Sequence, residues 1–132
     1  MYILRVKDSF DAAHRLRGHK GQCKNVHGHR YEVEVCIKGA ELDDMGMVAD
    51  FALIKSDLKK YTEPLDHALL LPEHDYENGF NKFDTVAIPF DPNPTAEVMA
   101  REISIWMSED CGWNVKSVTL WETEKCGVTY EK

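Results

Sequence analysis

The chain has 132 residues, with 16 Lys and Arg against 23 Asp and Glu, a formal net charge of −7, and 43% hydrophobic residues. That is one domain of common size with enough apolar content to bury a core, not a disordered chain. The acidic balance argues against a general nucleic-acid binder. The longest apolar runs are a few residues, such as Ala68–Leu71, far short of the roughly 20 a membrane-spanning helix needs.

Tyr2, Leu4 and Val6 alternate with polar neighbours, which predicts a strand over 2–6. Charges at Arg5, Lys7 and Asp8 interrupt the place where a signal peptide would be apolar, so a cytoplasmic protein is expected. A Gly-rich loop over 15–26 follows, with Arg15, Arg17, His19, Lys20 and Lys24. Residues 1–40 hold eight basic and four acidic side chains, net +4, and the remainder holds eight and 19, net −11. This basic segment is either a solvated loop or a local attractor for a small anion such as a phosphorylated metabolite. Over 31–38, Tyr31, Val33, Val35 and Ile37 face one way while Glu32, Glu34, Cys36 and Lys38 face the other, as in an antiparallel strand with one buried face.

Asp50 can cap a helix over 51–61 with an apolar stripe at Phe51, Ile54, Leu58 and Tyr61, ended by Pro64. Residues 72–94 read as a long irregular stretch holding Pro72, Pro89, Pro92 and Pro94. Thr95 caps a second helix striped by Met99, Ile103 and Trp106 and stopped at Gly112. Strands over 115–122 and 127–131 close an α+β arrangement with a mainly antiparallel sheet.

Among residues that can carry chemistry, His27-Gly28-His29 is the sharpest local signal. Positions i and i+2 of a strand share a face, so both imidazoles can reach one ion. His14 shares the parity of Val6 and can add a third nitrogen if the two strands are neighbours. Three histidines and no thiolate suit an open, catalytic zinc site, although ordinary core or surface histidines give the same letters. Cys23 lies between Lys20 and Lys24, just before His27, where a metal and nearby cations would favour its thiolate; it can equally be a zinc ligand or an inert loop thiol. Cys36, Cys111 and Cys126 have no such setting, and the absence of any C-x-x-C pair argues for free thiols in a reducing compartment. Asp66-His67 offers a carboxylate and an imidazole, but adjacent residues seldom hydrogen-bond well to each other, so separate roles or a plain polar turn are expected. Glu122 ends an apolar strand; it is either solvated or a bidentate acceptor for a planar N–C–N donor edge, as pterins and guanine present.

Taken together, Phe10-Asp11-Ala12-Ala13-His14, Cys23-x-x-x-His27-Gly28-His29-x-Tyr31, Gly46-Met47-Val48-x-Asp50-Phe51, Leu65-Asp66-His67, Pro94-Thr95-Ala96-Glu97 and Trp121-Glu122-Thr123 resemble, in order, the 6-pyruvoyl-tetrahydropterin synthase / 6-carboxytetrahydropterin synthase family. The resemblance spans nearly the whole chain, as one domain over 1–132. It implies the tunnelling fold (T-fold), a four-stranded antiparallel sheet with two helices inserted between strands 2 and 3. It implies Zn2+ held by His14, His27 and His29, proton transfer by Cys23, Asp66 and His67, and substrate contacts at Glu122 and Thr95. It further implies trimer-based assembly, usually hexameric, with active sites between subunits, so that Cys23 of one chain meets Asp66-His67 of another. The three residues between Cys23 and His27 are similar to the 6-carboxytetrahydropterin synthases of queuosine biosynthesis, which convert 7,8-dihydroneopterin triphosphate to 6-carboxytetrahydropterin, acetaldehyde and triphosphate. On that reading the basic loop at 15–24 contacts the triphosphate.

Three alternatives stand beside this reading. The first is pyruvoyl-type chemistry on the same substrate. The second is a non-enzymatic pterin- or purine-binding module, which would need Glu122 but not Cys23 or Asp66-His67. The third is a cupin-type metal protein, suggested by Gly21, His27, His29 and Glu34; against it, Glu34 faces away from both histidines in a regular strand and no second cupin motif follows.

Overall fold

The computed structural model describes all 132 residues. In chain order the elements are β1 (Tyr2–His14), β2 (His27–Gly39), α1 (Phe51–Thr62), β3 (Leu69–Pro72), α2 (Glu73–Glu77), β4 (Ala87–Phe90), α3 (Ala96–Ile105), β5 (Val115–Thr123) and β6 (Cys126–Glu131). They form one six-stranded sheet in the order β4-β3-β1-β2-β5-β6. The pairs β1/β2, β2/β5 and β5/β6 are antiparallel, whereas β1/β3 and β3/β4 are parallel. No helix is long and apolar enough to cross a membrane.

Two expectations are corrected here. The sheet has six strands and is mixed, not four-stranded and antiparallel. The stretch over 72–94 is not irregular throughout, since Leu69–Pro72 and Ala87–Phe90 pair in parallel with α2 between them. Proline hid these strands. Pro72 and Pro89 cannot donate to a ladder, and such residues are tolerated only at strand ends and edges; β4 is the edge of this sheet.

β1 also runs well beyond residue 6. Its inward face continues through Phe10, Ala12 and His14, all buried. Asp8 interrupts the apolar alternation on that face, which is why the strand reads as shorter. Its carboxylate is satisfied by the Thr62 hydroxyl and by Lys59 Nζ at 3.4 Å, both from the last turns of α1.

The inward faces of β1, β2 and β5 pack beneath α1 and α3. Tyr31, Val33, Val35, Ile37, Val118 and Leu120 meet Ile54 and Leu58 of α1 and Met99, Ala100 and Ile103 of α3 in one buried cluster. Each such fully buried side chain contributes roughly 1.5–3 kcal/mol by leaving water. Both helices start as the sequence predicts: Asp50 Oδ1 accepts the Ala52 N–H at 2.8 Å and Thr95 Oγ1 accepts the Val98 N–H at 3.2 Å. Trp106 and Trp113 tie α3 and the following turn to α1, their indole N–H groups donating to the Asp57 carbonyl and carboxylate, each at 2.9 Å. The opposite sheet face is polar, with Arg5, Lys7 and Glu34 paired across it. Cys36, expected on a wet face, is nonetheless buried, because Arg5 lies over its sulfur. All four cysteines are free.

Candidate metal centre and active-site residues

The β1/β2 register decides the site. His14 pairs directly with His27, and Ala12 with His29, so strand alternation turns all three rings to the core face at one end of the ladder. Their ligand atoms lie within 4.8 Å of one another. His14 is 1% exposed.

Backbone carbonyls fix the rings. His14 Nδ1 lies 2.9 Å from the Pro94 carbonyl, and His27 Nδ1 lies 2.7 Å from the Asn25 carbonyl. A carbonyl only accepts, so each Nδ1 carries the proton and each Nε2 presents a lone pair. The two Nε2 atoms then face each other at 3.0 Å, and His29 Nε2 is buried with no partner at all. Burial, together with the charges of His27 and His29, outweighs the Pro94 hydrogen bond and pulls His14 from 6.5 to about 4. Burial also lowers His29, against an opposing pull from Glu122. Converging imidazoles with one orphaned nitrogen fit a divalent cation, which would satisfy all three ring nitrogens at once.

Glu122 stands beside this cluster. It sits where the β5/β6 register slips between Trp121 and Thr123. Its Oε2 is 3.9 Å from His29 Nε2, and its side chain is 28% exposed. The slip rests on a glycine. A Cβ at Gly127 would meet the Trp121 ring 2.5 Å away, so only glycine lets Trp121 lie flat across β6.

The Asp66-His67 pair departs from expectation. Although adjacent, the two bond to each other, His67 Nδ1 lying 2.9 Å from Asp66 Oδ2. The reason is local backbone: His67 has φ 61°, a left-handed conformation that swings its ring back over Asp66. Asp11 fastens the turn from both sides, its N–H donating to Asp66 Oδ1 at 2.9 Å and its carbonyl accepting the His67 N–H at 2.6 Å. The Asp11 hydrogen bond, then the His67 ring, hold the Asp66 carboxyl below its usual range. His67 is 80% exposed and borders, with Ala13, Gly28, His29, Arg30 and Phe83, a cleft of about 570 Å³. Ala13, Gly28 and Arg30 have the strand parity opposite to that of the three histidines. His29 reaches the cleft from the cluster side, yet within one chain no hydrogen bond or ion pair joins Asp66-His67 to Cys23 or to the histidine cluster.

Cys23 lies half-buried in a short helical turn, Gln22–Lys24. The turn leads into Asn25, whose carbonyl orients His27. Thr95 acts as the α3 cap, and the residue before it supplies the carbonyl for His14. Arg15, one of the basic loop residues, pairs with Asp75 and is 19% exposed. Four residues escaped the sequence reading: Pro94 and Asn25 through their carbonyls, Asp11 as a backbone clamp, and Asp75. Asp11, Asn25 and Pro94 lie within motifs already singled out, Asn25 only at an unspecified position.

Fold and site together define a class of α+β protein in which two paired strands bring together three histidines that could hold one ion. Residues 3–132 match the family described as 6-pyruvoyl tetrahydropterin synthase. The chain is 39% identical over 127 residues to the 6-carboxy-5,6,7,8-tetrahydropterin synthase of Rickettsia felis, covering 90% of this chain and 92% of that one. It is 35% identical to the protein of the same name from Haemophilus influenzae, with 100% of both chains covered. The structure of the 6-pyruvoyl tetrahydropterin synthase of Caenorhabditis elegans superposes with a TM-score of 0.72 at 28% identity, covering 99% of this chain and 95% of that one. The chain belongs to the 6-pyruvoyl tetrahydropterin synthase family.

Proposed function

We propose that the protein is a lyase that converts 7,8-dihydroneopterin triphosphate and water to 6-carboxy-5,6,7,8-tetrahydropterin, acetaldehyde and triphosphate, as a cytoplasmic enzyme of queuosine biosynthesis. The observation that carries this is the converging His14/His27/His29 cluster with Glu122 beside it, in a chain whose relatives carry that name. His14, His27 and His29 would hold Zn2+, which when bound supplies Lewis acidity toward a substrate side-chain oxygen.

The chain's own residues do the rest. Glu122 accepts two parallel hydrogen bonds from the N–C–N edge of the pterin and so fixes the ring. Cys23, as thiolate, removes a carbon-bound proton from the side chain. His67, held by Asp66, moves a second proton; each such transfer contributes about 10²–10⁴ in rate. Because Asp66-His67 and the histidine cluster share no bond within one chain, the reading requires a second copy to bring them together, in a trimer-based assembly such as a hexamer. Thr95 keeps a hydroxyl proton free to donate to substrate while its oxygen caps α3. With Arg15 engaged by Asp75, the triphosphate contacts fall to Arg17, Lys20 and Lys24.

A second reading, 6-pyruvoyl-tetrahydropterin as product, is favoured by the family's own description and by the Caenorhabditis elegans neighbour. Turnover of 7,8-dihydroneopterin triphosphate by zinc-loaded protein, with products identified by mass spectrometry, separates the two. Acetaldehyde with 6-carboxytetrahydropterin supports the first. Pyruvoyl-tetrahydropterin without acetaldehyde supports the second, and absence of turnover with zinc bound overturns both.

A further inference from the structure

Asp75 is the only acidic residue the chain buries, its side chain 9% exposed. A buried carboxylate is costly unless it is closely paired. Two of its partners come from the loop after β1 and one from its own helix, α2. Arg15 pairs with Asp75 Oδ2, Arg17 Nε lies 3.9 Å from Oδ1, and His74 Nδ1 lies 3.4 Å from Oδ1. Arg15 does more than neutralise. Its Nε–H donates to the Lys24 carbonyl at 2.9 Å, and its guanidinium lies 4.8 Å from the centre of the Phe80 ring. The Phe80 N–H in turn donates to the Asp75 carbonyl at 2.9 Å. The next residue, Leu16, donates its N–H to the Cys23 carbonyl at 2.8 Å. Consecutive residues directly after His14 thus hold consecutive carbonyls, those of Cys23 and Lys24.

We propose that Arg15 and Asp75 are positioning residues for the Cys23 thiol, a planar fork anchored on a buried carboxylate that fixes the Cys23 turn relative to His14. The inference rests on the reading of Cys23 as the proton-transfer group. A loop with glycines at 18 and 21 has many conformations to lose, and one stiff, doubly bonded guanidinium removes them in the native state before substrate arrives. Lysine cannot replace it. An ammonium can keep the charge opposite Asp75, but it lacks the second, fixed donor that meets the Lys24 carbonyl.

The test compares wild type with Arg15→Lys and Asp75→Asn in the zinc-loaded oligomer. Two readouts are taken: kcat and KM for 7,8-dihydroneopterin triphosphate, and the iodoacetamide labelling rate of Cys23 by peptide mass spectrometry, with exposed Cys126 as internal reference. Both variants are expected to lose roughly 10- to 100-fold in kcat with little change in KM, as misplacement of a reacting group does. Both are also expected to shift the Cys23 to Cys126 labelling ratio while metal content stays that of wild type. Unchanged kcat and an unchanged ratio in Arg15→Lys overturn the proposal. Should Asp75→Asn not fold, Arg15→Lys decides alone, since it retains the ion pair. A Cys23→Ala control separates the two levels. Full turnover in that variant overturns the role of Cys23, whereas a shifted labelling ratio in Arg15→Lys still supports the clamp.

Discussion

His14 Nε2 and His27 Nε2 face each other at 3.0 Å, each ring turned there by a backbone carbonyl behind it. Two lone pairs that close repel unless something positive lies between them. His27→Ala is therefore expected to lose tight zinc binding, with at least a tenfold fall in affinity of the kind that removal of a supporting group already produces. Metal analysis after dialysis checks this, and stoichiometric zinc in the variant would sink the assignment. Chelation of the wild-type protein is expected to lower Tm, because an ion that binds only the folded chain stabilises it.

Acid should weaken the metal-free protein as pH falls from about 6.5 toward 4. The folded-state value for His14 is about 4 and its ordinary value is 6.5. Between these the unfolded chain binds more protons, so stability is fully present above about pH 6.5 and falls as pH drops toward 4. The difference corresponds to about 3 kcal/mol. Urea midpoints across that window, for wild type and His14→Gln, check it; parallel curves for the two proteins would contradict it.

Cys23→Ala should keep its zinc, since the three histidines suffice, and lose roughly 10²–10⁴ in kcat. Steady-state kinetics beside metal analysis gives the answer. A variant with wild-type kcat would remove the thiol from the reaction.

Glu122→Gln presents one acceptor and one donor where two acceptors are needed. A pterin N–H left unpaired costs about 1–3 kcal/mol, or roughly 5- to 150-fold in affinity for the substrate. Calorimetric titration with a non-reacting pterin measures this directly. Equal affinity for wild type and variant would return Glu122 to the status of a strand-end carboxylate.

Asp57 joins two indoles far from the histidines. Hydrogen bonds from Trp113 and then Lys60 hold its carboxyl below the usual range. Asp57→Ala strands the half-buried Trp113 N–H at a cost of about 1–3 kcal/mol, while the Trp106 bond to the backbone carbonyl survives. Tm is expected to fall and kcat to hold. A drop in kcat at a temperature where the variant is folded would show that this corner communicates with the site.

Much of the architecture was legible because alternation and caps are local signals. The Asp50 and Thr95 caps, the β2 alternation and the His27/His29 pair all follow from side-chain direction in a strand or a helix turn. The inner end of β1 was not legible, because Asp8 breaks the pattern and is rescued only by Thr62 and Lys59, more than 50 residues away. β3 and β4 are not legible because proline ends the first and interrupts the second, which is the sheet edge, and parallel pairing is written in no short stretch of sequence.

By itself the sequence determined the residue types of the site, their family and the parity that lets His14, His27 and His29 share a face. Tertiary structure alone decided which backbone carbonyls lock those rings, that Asp66 and His67 bond to each other, and that Arg15 pairs with Asp75. The physical reason is range. Side-chain direction along one element is set by its own dihedrals, whereas the partner of a buried donor or carboxylate is set by whichever distant segment the packed core brings within 3 Å.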